Sequence, residues 1–356
     1  MRAGLPLDAS MCLHDDLRGS VGEGPHSEKL TRLWGFEVPL GREGHARVAV
    51  LTVIPEEMKE VLAVLGATEA VKYTGVFTSP EAAQEDLTCL PFIVSRCTDR
   101  SNGPASNSAR NLMEDWRPET IMLVGIAGGI RRVDNPKKPT ALADGPALGD
   151  VVMGTLIHFG DYGKDLPSGF LPRFLPLVHP PTRLLMRHGE PLRVNTAWGK
   201  DIKEWPGDKP PKLHMGEIVA VEAVAGNPLA ERQQRIIEYF DKAIAVDMES
   251  KGVADALHDY EADVGVHYHP RWLCIRGISD LVVGSEAAAA LLDAENDEQR
   301  AKWRSAAARS AATVAREVLV GLLSRPTSAH PQQPARLAWP GATRIGLSDP
   351  SERVCT

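Results

Sequence analysis

The feature that most constrains this chain is a series of short, unbroken apolar runs spaced along its 356 residues. ARVAVLTVI (46–54), TIMLVGI (120–126), GDVVMGTLIHFG (149–160), AIAVDM (243–248) and RWLCIRGIS (271–279) are rich in β-branched and small residues. They lack the polar alternation of a half-exposed strand, so each reads as a strand covered on both faces. LPFIVSR (90–96) and EIVAVEAV (217–224) add two more. Helical stretches fall between them: Pro55 to Leu62, with acids in its first turn, then ARNLMEDW, ERQQRIIEYF and ESKGVADALHDY. Strands alternating with helices predict an α/β fold on a largely parallel or mixed central β-sheet flanked by helices.

The strongest helix runs from about Asp297 to Ser324, where Trp303, Ala307, Ser310, Ala311, Val314 and Val318 share one face. Residues 1–45 are polar and Gly-rich without sustained periodicity, apart from LTRLWGF, which reads as a brief helix. Residues 325–356 are Pro-rich and irregular. The expected organisation is a single domain over 46–324, with an N-terminal extension over 1–45 and a tail over 325–356.

Charge narrows the partners. Lys plus Arg number 40 against 47 Asp plus Glu, a net charge of -7, which argues against a nucleic-acid partner. Two or three local cations would still suffice for a small phosphorylated ligand. No apolar run approaches the roughly 20 residues that span a bilayer, and the N-terminal residues are too interrupted by Asp, His and Arg for a signal peptide. The five cysteines (Cys12, Cys89, Cys97, Cys274, Cys355) are scattered and odd in number, which predicts a reduced, cytoplasmic protein without a structural zinc site. His267 and His269 stand two apart without a third ligand nearby, and Cys274 lies inside a buried strand, so neither suggests a metal or a nucleophile.

Ligands of open α/β sheets bind beyond the carboxyl ends of the strands. Four segments expected there carry chemistry: Ile54-Pro55-Glu56-Glu57, Gly125-Ile126-Ala127-Gly128-Gly129, Asp247-Met248-Glu249-Ser250 and Arg276-Gly277-Ile278-Ser279-Asp280. Singly they have plain explanations as helix-start acids, a tight glycine turn or a helix cap. Their order in one chain is more specific. VAVLTVIPEE, VGIAGGI followed by LGDVV, AIAVDMES and CIRGISD resemble the nucleoside phosphorylase superfamily, and within it the 5′-methylthioadenosine/S-adenosylhomocysteine nucleosidases, over about residues 46–324.

The resemblance implies a purine nucleosidase that hydrolyses an N-glycosidic bond through an oxocarbenium-like ribosyl species, releasing free base, with no cofactor and no metal. By position, Asp280 matches the acid that protonates purine N7, and Glu57 the residue that deprotonates the attacking water. Such an acid must be partly protonated near neutrality, which calls for burial or a nearby negative charge. Glu249 matches the ribose-binding carboxylate, with Met248 as an apolar contact beside it. The backbone of Gly125, Ile126, Ala127 and Gly128 would line the ribose and water side, and Ser279 and Arg276 would orient Asp280. A homodimer is also implied.

Departures from the family pattern matter. Superfamily phosphorylases place an Arg where this chain has Leu123, and Glu56 and Glu57 would repel phosphate, so water is the favoured nucleophile. The family's aromatic base contact is replaced by Val224, leaving Phe159 or Tyr162 as candidates for stacking. Loops 131–147 and 163–212 carry Arg131, Arg132, Lys137, Lys138, Arg173 and Arg183, read either as solvated surface charge or as contacts to a 5′-phosphate. The expected ligand is thus a small-molecule adenine nucleoside or nucleotide. The alternatives are a phosphate-dependent phosphorylase, or a nucleoside-sensing module of a signalling or defence protein that binds without turnover.

Overall fold

The computed structural model describes residues 32–33, 36–37, 44–85, 89–135, 141–167, 169–223, 230–262, 268–283, 286–292 and 296–324. Residues 1–40 cluster as a separate unit. In it Arg32–Leu33 pairs antiparallel with Phe36–Glu37, so the helix expected in LTRLWGF is instead a minimal strand pairing. The tail over 325–356 lies outside the described residues.

Seven principal strands make up the sheet: β1 (His45–Thr52), β2 (Cys89–Arg96), β3 (Thr120–Arg131), β4 (Val151–Phe159), β5 (Leu213–Ala220), β6 (Ala243–Asp247) and β7 (Arg271–Val283). They run β6-β5-β4-β7-β3-β1-β2, extended past β2 by Phe77–Thr78 and Thr68–Glu69. Most pairings are parallel, as the apolar runs predicted, while β7 meets β4 antiparallel. The additional antiparallel pairing of β6 with β3, Ala245 to Gly129 and Val246 to Gly128, closes β6, β5, β4, β7 and β3 into a ring. The fold is therefore a mixed α/β sheet, half open and half barrel-like.

The longer helices among the described residues cover it: α1 (Pro55–Leu65), α2 (Asn102–Trp116), α3 (Thr182–Val194), α4 (Glu231–Tyr239), α5 (Ser250–Ala262) and α6 (Asn296–Leu323). One core packs α2 and α5 on the sheet through Ala105, Ala109, Met113, Val253 and Leu257. The opposite core packs α1, α3 and α6 through Val61, Leu185, Val314 and Val318. All six residues read onto one face of the last helix are buried. That helix crosses β7 very closely: a Cβ at Gly277 would lie 1.9 Å from the Ala307 carbonyl oxygen. Among the described residues no helix is long and apolar enough to cross a membrane.

Two of the segments expected at strand ends lie within strands. β3 runs straight through the glycine cluster and β7 through RGISD, with a bulge between Ile278 and Asp280. Ring closure is the physical cause, since strands long enough to reach the second half of the barrel must bend, and glycines and a bulge allow it.

Candidate active site

A cavity of about 280 Å³ opens where β3, β6 and β7 meet the start of α1. Its walls bring together Glu57, Ile126, Ala127, Gly128, Met248, Glu249, Ser279 and Asp280, all singled out from sequence. Val224 lies outside the described residues.

Glu57 owes its position to local folding. Ile54 is extended at the helix entry, Pro55 fixes the first turn, and Glu57 folds back over it. Its Oε2 accepts from the Val53 and Ile54 N–H groups at 2.8 and 3.1 Å, and its Oε1 from Ile126 N–H at 2.8 Å. Gly125 makes this approach feasible, because a Cβ there would stand 2.5 Å from Oε1. Burial pushes the Glu57 carboxyl up from its ordinary range, against the pull of Arg276 and the three N–H groups. That direction makes the carboxylate a stronger base towards a bound water.

Glu249 opens α5 from the end of β6. Its Oε2 lies 3.1 Å from Arg276 Nη2, and its Oε1 accepts from Ser101 N–H at 3.3 Å. Burial raises its carboxyl to about 7; Arg276 works against this, while the Asp247 and Glu57 charges add to it. Ser101 has φ 89, strained for a residue with a side chain, and is tied down through a 2.5 Å hydrogen bond from its hydroxyl to Glu222. The strained link places its neighbour Arg100 on the cavity wall.

Arg276 does not orient Asp280. It is fully buried, and its Nε and Nη2 bind Asp247 Oδ2 at 2.8 and 2.7 Å. Simple alternation would put Arg276 and Asp280, four residues apart, on one face of the strand, but the bulge at Ser279 between them breaks that register. Arg276 Nη1 is buried without a partner among the described residues, and a Cβ at Gly125 would lie 2.6 Å from it. A buried N–H beside the Glu57 carboxylate is a ready donor for a bound water.

Asp280 is held as expected by Ser279, whose hydroxyl donates to Oδ1 at 2.7 Å. Its second partner went unread in the sequence. Arg300, from α6, forks onto both oxygens, Nε to Oδ1 at 3.3 Å and Nη2 to Oδ2 at 2.9 Å. Asp280 is buried, one of the two conditions expected of it, but its charged neighbour is a cation rather than an anion.

The described loop cations do not line this cavity. Arg131 and Arg132 hold backbone carbonyls of Ala143, Ile237, Phe240 and Ala243. Arg173 lines a separate cavity, Arg183 is exposed on α3, and Lys137 and Lys138 lie outside the described residues. The arginines on the cavity wall are Arg100, Arg232, Arg300 and Arg304. Arg304 rests on Glu56 at 3.0 Å and Arg232 on Asp161 at 2.8 Å. Arg304 Nε is buried and unpartnered among the described residues. Neither Phe159 nor Tyr162 reaches the cavity, and no aromatic ring stands among its described lining residues. Ile54, Ile126, Met248 and Val282 supply its apolar surface. No cluster of three His, Cys, Asp or Glu able to hold a metal occurs among the described residues, and His267 lies outside them. Cys274 is core, its thiol pushed up to about 12 by burial.

Known structures share this architecture. The 5′-methylthioadenosine/S-adenosylhomocysteine nucleosidase of Neisseria meningitidis, in complex with methylthio-immucillin-A, aligns with 77% of this chain and 98% of its own at 17% identity, TM-score 0.52. The corresponding Helicobacter pylori nucleosidase aligns with 78% and 100% at 16% identity, TM-score 0.54. This is the nucleosidase fold. Helicobacter pylori futalosine hydrolase shares it too, over 78% of this chain and 98% of its own at 15% identity, TM-score 0.53. No family model matches the chain. A curated relative, the ATP nucleosidase Cap17 of Escherichia coli (strain KTE188), is 25% identical over 254 residues, or 65% of this chain. The chain spans 45% of that relative's length.

Proposed function

We propose that this chain hydrolyses the N-glycosidic bond of an adenine nucleotide, releasing adenine and a ribosyl phosphate. The observation that carries the reading is the convergence of Glu57, Glu249 and Asp280 in one cavity whose wall also holds four arginines. Glu249 accepts the ribose hydroxyls. A water held between Glu57 Oε1 and the free Nη1 of Arg276 gives its proton to Glu57 as its oxygen bonds to the anomeric carbon. The bond to the base breaks, its electron pair moves into the purine, and Asp280 supplies the proton at N7.

Hydrolysis is favoured over phosphorolysis because Leu123 is a fully buried apolar side chain and an attacking phosphate would face Glu57. The arginine set is what separates a nucleotide from a thioether nucleoside, since guanidinium forks match phosphate oxygens, and the name of the Escherichia coli relative agrees. A cytoplasmic setting accords with the free thiols of Cys89, Cys97 and Cys274. We also propose a homodimer.

The test is release of free base from a panel of purine nucleosides and nucleotides, with and without inorganic phosphate, read by chromatography and mass spectrometry. Adenine release from ATP or AMP, unchanged by phosphate, is expected. A strict phosphate requirement would make the chain a phosphorylase. Binding without release would make it a sensor.

A further inference from the structure

The contact between Asp280 and Arg300 is at odds with a carboxyl that must present a proton to a leaving base. Both carboxylate oxygens accept from the guanidinium, and Oδ1 accepts from Ser279 as well. The arginine is not locked in the core. Its side chain keeps 18% of its surface exposed, its Nη1 already reaches outward to Asp297 at 2.7 Å, and Asp297 is 73% exposed. One turn further along α6, on the same helix face, Arg304 also lines the cavity.

We propose that Arg300 is a phosphate-sensitive latch on the acid, so that the 5′-phosphates of the substrate switch on the residue that expels its own base. With the cavity empty, or filled by an unphosphorylated nucleoside, the fork stays on Asp280. Phosphate oxygens arriving at the rim compete for the same planar donor set and offer it more charge than one carboxylate. The guanidinium swings outward, towards Arg304. Asp280, left with the Ser279 hydroxyl, takes a proton from solvent and offers it to N7. Arg304 and Arg232 also rest on carboxylates, but Glu56 and Asp161 have no part in the chemistry. Arg300 alone among the three couples phosphate binding to the acid. This inference rests on the nucleotide-hydrolase reading above.

The experiment compares adenine release from ATP and from adenosine by the parent and by Arg300→Gln. The amide cannot clamp a carboxylate with two charged donors, so adenosine turnover is expected to rise by about tenfold while ATP turnover falls, roughly the worth of one charge-assisted hydrogen bond in each direction. A second arm needs no mutation: inorganic tripolyphosphate added to the parent should accelerate adenosine hydrolysis and leave Arg300→Gln unaffected. A residue that merely binds phosphate would lower ATP turnover without raising that of adenosine. Adenosine turnover unchanged or reduced in the variant, with tripolyphosphate inert or only inhibitory, would overturn the latch. No adenine release from either substrate by the parent would instead overturn the functional reading beneath it.

Discussion

Replacing Gly277 by Ala should be the most damaging single methyl addition in the sheet-bearing unit. The new Cβ would stand 1.9 Å from the Ala307 carbonyl oxygen and 2.5 Å from its carbon, where ordinary contact begins at 3.4 Å. Both obstacles are backbone, so no side-chain rotation relieves them, and α6 must retreat from β7 by about 1.5 Å. Overpacking of this kind costs ~1–3 kcal/mol; the lower entropy of the unfolded alanine chain returns ~0.4–1 kcal/mol. With overpacking at the upper end of its range, because both obstacles are backbone, a net loss of about 2 kcal/mol follows. Arg300 lies two turns upstream of Ala307, so the same retreat would stretch its 2.9 Å contact with Asp280 beyond hydrogen-bond range. Urea unfolding followed by far-ultraviolet circular dichroism reads the stability change as a lower midpoint. Gly103→Ala is the control, because nothing lies within 4 Å of its Cβ position near the start of α2. It should leave the midpoint unchanged or raise it, by at most ~1 kcal/mol. A Gly277→Ala protein as stable as the parent would refute the close-crossing argument.

Other perturbations separate chemistry from structure. Asp280→Asn should retain the fold and lower kcat by about a hundredfold or more, measured as adenine release; parental activity would remove it from the mechanism. Glu57→Gln should abolish turnover and also destabilise the chain by ~1–3 kcal/mol, because an amide has one oxygen for three N–H donors and leaves a buried donor unpaired. Thermal unfolding alongside the activity assay checks both halves. Glu249 is raised from 4.5 to about 7 by burial, so between those values the unfolded chain ionises while the folded one holds its proton. Its contribution therefore weakens stability as pH rises from about 4.5 to 7. Glu249→Gln should remove that slope, appearing more stable than the parent at pH 8 than at pH 5 while losing ribose affinity. A pH-independent stability difference between the two proteins would contradict it.

Much of this was readable from the residues alone, for identifiable reasons. Doubly covered strands leave a local signature, so the run ARVAVLTVI marked β1; AIAVDM marked β6 as well, although alternate residues of β6 are only half-buried. The surface of α6 that meets β7 was visible as a period in Trp303, Ala307 and Val314. What escaped depends on pairings distant in sequence. β3 and β7 pass through segments that look like turns because ring closure, a property of five strands together, draws them onward. The rim arginines come from three separate places in the chain, and Arg300 and Arg304, one helical turn apart, look like any solvated helix face. Arg131 and Arg132 read as solvated surface charge or as phosphate contacts, yet they serve as struts for backbone carbonyls.

The closed ring also bears on how copies of this chain can associate. A strand with unpaired N–H and C=O groups along one side invites a strand from another molecule to add to it. β6, β5, β4, β7 and β3 each have neighbours on both sides, so the half of the sheet that bears the cavity has no such side to offer. At the far end the outermost strand is Thr68–Glu69, two residues long, one of them an exposed acid. That is too short to template an extended pairing. Association through this sheet is therefore confined to side-chain surfaces, and the barrel half is guarded against edge-to-edge aggregation by its own connectivity.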